Sequence, residues 1–158
     1  MNKPQGTLFI SIGSAGLAVL GGLGILISPF VITLTALAGS LLRGLDPVIA
    51  KWLKEGAYPI GTVLGRVIGG AGVMVGILML LFSSLQLTCG ILTWKRKDDV
   101  TKYSFALAMG IAFAITSLAL GLTAPGLIQL ALSVLLIVGA TLNRQQTANP
   151  SAAEDAAG

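Results

Sequence analysis

Long apolar runs separated by short polar punctuation organise this chain, and they predict helices rather than strands. Residues 4–42 pass without a charge, residues 67–94 do so again, and two shorter apolar runs cover 104–122 and 127–142. A hydrocarbon core about 30 Å thick needs roughly 20 helical residues to cross it, so the pattern predicts four spans. The first run is too long for one upright helix and too short for two, which predicts a bend at Ser28-Pro29, where proline removes a backbone donor. Between the first two spans, Asp46-Pro47 and Gly56 bracket a short helix with Val48, Ile49, Trp52 and Leu53 on one face and Lys51, Lys54 and Glu55 on the other. Asp at the cap, Pro at the first helical position and Gly past the end are start and stop signals. A Trp beside lysines places this helix flat in the headgroup region. Thr123-Ala124-Pro125-Gly126 reads as the turn before the fourth span, and residues 147–158 read as a disordered polar tail after a membrane domain of residues 1–146. The fold class is thus an all-α integral membrane protein, with four transmembrane helices in an antiparallel bundle and a short interfacial helix between helices 1 and 2.

The positions of small residues refine this picture. Gly61, Gly65 and Gly69 recur at an interval of four, and Gly72 and Gly76 continue it one register over. Lipid tails are as apolar as leucine, so helices associate in a bilayer mainly where missing side chains let backbones approach. These five glycines are therefore a helix-packing interface, and Ser14, Ala18 and Gly22 form a second stripe expected to face Gly61, Gly65 and Gly69. Ser40-Leu41-Leu42-Arg43-Gly44-Leu45 echoes Ser117-Leu118-Ala119-Leu120-Gly121-Leu122, which reads as similar helix-stop chemistry arising twice.

Composition agrees with the pattern: 54% of residues are hydrophobic and 10% charged, against roughly 25% charged in soluble domains. The formal charge of +4 sits at the ends of apolar runs, which points to membrane lipid and not to nucleic acid as partner. Lys3, Lys95, Arg96, Lys97, Lys102 and Arg144 fall on one side of the expected bundle, and Arg43, Lys51, Lys54 and Arg66 on the other. That bias, with the uncharged turn at 123–126, puts both termini in the cytoplasm of a multi-pass cell-membrane protein. Trp52, Lys51, Lys54, Trp94 and Tyr103 are the expected interfacial anchors.

Chemistry is sparse. The chain has no histidine and one cysteine, Cys89, so no metal or cofactor site and no acid–base catalyst is expected, and the protein is read as a non-enzyme. No ionisable residue occupies the middle of a span, which argues against coupled transport. Arg66 is read as reaching the interface, or pairing with Asp46 or Glu55; with Ser83 and Gln86 it is the candidate for polar or anion contact. The functional expectation is a scaffold, accessory or assembly subunit that packs through glycine-rich helices against itself or a larger membrane partner. The alternative is a small homo-oligomeric channel or facilitator lined by the 83–88 face.

Overall fold

The computed structural model describes residues 6–52, 59–119, 121 and 123–148. It is all-helical: α1 (Thr7–Gly44), α2 (Asp46–Trp52), α3 (Ile60–Lys95), α4 (Tyr103–Ala119) and α5 (Ala124–Ala148), with a single 3-10 turn, Val100–Lys102, leading into α4. Three helices, α1, α3 and α5, are long and apolar enough to cross a membrane; α4 is apolar but shorter, at 17 residues.

Several boundaries differ from the sequence expectation. Pro29 lies inside α1 without interrupting it. The proline is carried within one continuous helix, and hydroxyls bond the backbone beside it: Ser28 Oγ donates to the Gly24 carbonyl at 2.6 Å and Thr33 Oγ1 to the Pro29 carbonyl at 2.8 Å. Pro125 and Gly126 are not a turn but the first turn of α5. The reversal is made by Gly121, at φ 71°, and by Thr123, whose Oγ1 accepts from Gly126 N at 3.3 Å as an N-cap. α5 also runs past residue 142, so Asn143, Arg144, Gln145 and Gln146 are helical and do not end it. The tail beyond Ala148 lies outside the described residues.

The chain forms two compact units. The first comprises residues 1–21 and 85–158. Its apolar core is Ile10, Leu17, Ala106, Phe113, Leu136 and Ala140. Glycines bring its backbones together: a Cβ added to Gly139 would lie 2.8 Å from the Gly6 carbonyl, and one on Gly110 3.1 Å from the Ser133 carbonyl. Gln129, 4% exposed, ties α5 to α4 by donating Nε2 to the Phe113 carbonyl at 3.2 Å and to Thr116 Oγ1 at 3.0 Å.

The second unit comprises Gly22–Ser84. Every buried residue described in it is Gly or Ser: Gly24, Ser28, Gly39, Gly61, Gly65, Gly69, Gly76 and Ser83. Its large apolar side chains point outward, among them Phe30 at 69% and Leu26 at 67% exposure. In water such a unit would have no hydrophobic core to offset its conformational entropy. In lipid, where close backbone approach replaces hydrophobic burial as the source of association, the same arrangement is a stable one.

Candidate functional site

The glycine interval of α3 is a packing face, as its spacing predicts, but its partner is not the predicted one. Gly61 lies against the Leu42 carbonyl and Asp46, Gly65 against the Gly39 carbonyl and Arg43, Gly72 against Thr35 and Gly76 against Ile32. Gly69 lies against Gly39, with Thr35 and Arg43 nearby. All of these belong to α1 or to the start of α2. Ser14 and Ala18 instead receive Gly90, whose added Cβ would sit 2.7 Å from Ala18 N and 2.8 Å from the Ser14 carbonyl. Gly22 faces open space. The physical reason is the order of an antiparallel pair: residues near the link between two helices meet each other, and those far from it meet each other. The end of α1 therefore takes Gly61 to Gly76, and its beginning takes Gly90.

Arg66, Ser83 and Gln86 do not share one environment. Arg66 is exposed on α3. Asp46 is not its partner, because the Asp46 carboxylate accepts from Gly61 N at 2.7 Å, from Thr62 N at 2.8 Å and from Thr62 Oγ1. Glu55 lies outside the described residues. Ser83, 5% exposed, is closed against Gly24. Gln86, 4% exposed, has an Nε2 with no acceptor. Asn143 accepts from Gly6 N at 3.0 Å through Oδ1 while its Nδ2 is also unpaired.

Asp46 was expected to cap its own short helix; it caps α3 instead. Two free N–H groups and a hydroxyl at the start of α3 meet a carboxylate there, an anion at the positive end of the helix dipole. Asp46→Ala is expected to destabilise the second unit by about 1–2 kcal/mol, with Asp46→Asn recovering part of it. The check is the midpoint of SDS-driven unfolding in mixed micelles.

Of the expected anchors, Lys51 and Trp94 are exposed and Tyr103 is half-buried; Lys54 and Leu53 lie outside the described residues, as do the side chains of Ile49 and Trp52. The turn after α3 is built by local bonds. Asp99 Oδ2 pairs with Lys102 Nζ at 2.7 Å, and Asp99 Oδ1 accepts from Thr101 Oγ1 at 2.6 Å. The bonds from Lys102 and then Thr101 lower the Asp99 carboxyl to a pKa of about 2. Because the folded value lies below the ordinary carboxylate value, the pair supports the turn above that ordinary value and is lost as pH falls through about 2. The Asp99 carboxyl carbon, followed by NMR, should titrate near pH 2, and Lys102→Gln should move its midpoint upward. Thr7 Oγ1 donates to the Lys97 carbonyl at 3.3 Å, fastening the start of α1 to the same turn.

Sequence reasoning missed Asp46 as a cap for α3, Gln129 as a link between α4 and α5, and Asn143 as the acceptor for Gly6. Isolated Asp, Gln and Asn residues in or beside apolar helices were the available signal. Among the described residues no group of three or more His, Cys, Asp or Glu side chains stands together. Compared with known proteins, the chain matches no family model, no curated protein and no solved structure at a significant level.

Proposed function

We propose that this chain is a non-catalytic, multi-pass protein of the cell membrane that serves as a scaffold, accessory or assembly subunit. The observation that carries the reading is the inversion of burial: Ser14, Ser28 and Ser133 are fully buried while many leucines, isoleucines and valines, with Phe30, lie on the outside. Water-soluble domains bury the second set, and a protein solvated by lipid has no need to. Glycine-rich packing closes the helical segments of each unit on one another, so a partner, whether another subunit or a second copy, would meet the outward apolar rows.

Four antiparallel spans are the proposed topology. α4, at ~25 Å, falls at the short end of the spanning range. The bonds from Gly6 to Asn143 and from Thr7 to Lys97 bring the start of α1, the turn after α3 and the end of α5 together. Lys95, Arg96, Lys97, Lys102 and Arg144 cluster at those points, whereas the described part of the link between α4 and α5 carries no charge. Positive residues favour the cytoplasmic side, which supports cytoplasmic termini.

The test is the mass and composition of the complex extracted in mild detergent. A stoichiometric foreign subunit supports an accessory role, and a lone monomer counts against any assembly role. A closed homo-oligomer favours the second reading, a small channel or facilitator. That reading draws on Gln86, whose buried Nε2 has no acceptor; purified protein in liposomes that passes no solute or ion above empty vesicles would sink it.

A further inference from the structure

The start of α1, the end of α3 and the start of α4 line a small recess whose exposed rim carries Arg96 and Lys102 and whose lining includes Ile10, Thr93, Asp99, Tyr103, Phe105 and Ala106. Its volume is about 10 Å³, room for one oxygen-sized group. The Arg96 guanidinium lies 5.1 Å from the centroid of the Phe105 ring, which holds its planar fork beside the opening. Among the described residues no carboxylate pairs with Arg96. Asp99 is already engaged by Lys102 and Thr101. The Thr93 hydroxyl donates to the Cys89 carbonyl of its own helix, so the floor is satisfied. Across residues 95–102 four cations, Lys95, Arg96, Lys97 and Lys102, face two anions, Asp98 and Asp99, leaving an excess of positive charge.

One helical turn away, Ile91, Leu92 and Trp94 of α3 are exposed at 43%, 37% and 49%. Charge and apolar surface thus adjoin at a helix end, a combination that suits an amphiphile and is wasted on a soluble ion.

From this juxtaposition we infer that the recess binds the phosphate-bearing headgroup of an anionic membrane lipid. One phosphate oxygen meets the Arg96 fork at the opening, where a charge-assisted bond is stronger than a neutral contact, while Lys102 offsets the Asp99 carboxylate beside it. The acyl chains leave along Ile91, Leu92 and Trp94. The inference rests on the membrane-spanning reading and adds to it a defined lipid class and position.

The experiment reconstitutes the full-length protein in nanodiscs containing equal amounts of phosphatidylglycerol and phosphatidylcholine. Lipid retained after gentle detergent release is then counted by native mass spectrometry. The wild type is expected to retain phosphatidylglycerol preferentially. Arg96→Gln should lower that preference about fivefold, taking a cation near the surface at its usual strength, and Arg96→Gln with Lys102→Gln should lower it further, because Asp99 then stands unpaired beside the opening. Arg96→Lys should keep most of it, and Arg43→Gln, in the other unit, should keep all of it.

Equal retention of both lipids by the wild type overturns the inference, as does an equal loss in Arg43→Gln. Displacement of phosphatidylglycerol by inorganic phosphate in large excess would also overturn it, by showing a site for a soluble anion. A protein that fails to enter the nanodisc overturns the membrane reading itself, whereas one that enters without lipid preference removes only this site.

Discussion

A Gly65→Ile protein is expected to lose the packing of α1 on α3 in the second unit, while a Gly70→Ala protein keeps it. A Cβ at Gly65 would press on the Gly39 carbonyl and lie 2.9 Å from Arg43 Cγ. The reciprocal position is as tight, since a Cβ on Gly39 would lie 2.6 Å from the Gly65 carbonyl and 2.8 Å from Gly69 Cα. These neighbours are mostly backbone, which cannot rotate aside, so the helices must separate. The cost should reach about 3 kcal/mol, the upper end for overpacking. Gly70 has nothing within 4 Å, and alanine there should be neutral or stabilising by up to about 1 kcal/mol from helix propensity. Thermal midpoint and resistance to SDS measure both. Equal losses in the two proteins would show that the shared effect is general and would refute close backbone packing as the basis of this unit.

Gly90→Val should be comparably damaging in the first unit. The added Cβ would sit 2.7 Å from Ala18 N, 2.8 Å from the Ser14 carbonyl and 3.0 Å from Ala18 Cα, and a β-branched side chain has few rotamers with which to escape. A loss of about 3 kcal/mol is expected. Gly22→Ala is the control: it adds the same kind of methyl group to α1 where nothing lies within reach. A Gly90→Val protein as stable as the control would mean that α1 and α3 do not approach closely at Ser14 and Ala18.

How much of this was legible beforehand depended on range. The helical character of residues 60–95 and the packing role of Gly61, Gly65 and Gly69 follow from composition and interval, which are local properties. The partner of that face did not follow, because a stripe of small residues marks a surface that can be approached and carries no address. Gly39, the residue that meets Gly65, stands beside Ala36 and Ala38 in an unremarkable run, and Thr35 is β-branched. Asp46 was legible as a helix-start residue, but a carboxylate has two oxygens and the chain returns near it at Gly61. Its choice of helix is a tertiary outcome. Thr123 was overlooked because Pro125-Gly126 resembles a turn, although proline is well tolerated in the first turn of a helix.

The buried hydroxyls carry one more consequence. Ser14, Ser28, Ser117 and Ser133 each donate to the carbonyl four residues earlier in their own helix, so they bring no unmet demand into an apolar phase. A helix carrying only such groups can enter lipid alone and find its neighbours afterwards. Gln129 breaks that independence, because its amide Nε2 donates across the gap, to the Phe113 carbonyl and Thr116 Oγ1. Folding should therefore treat α4 and α5 as one piece, the Gln129 bonds forming as the pair closes.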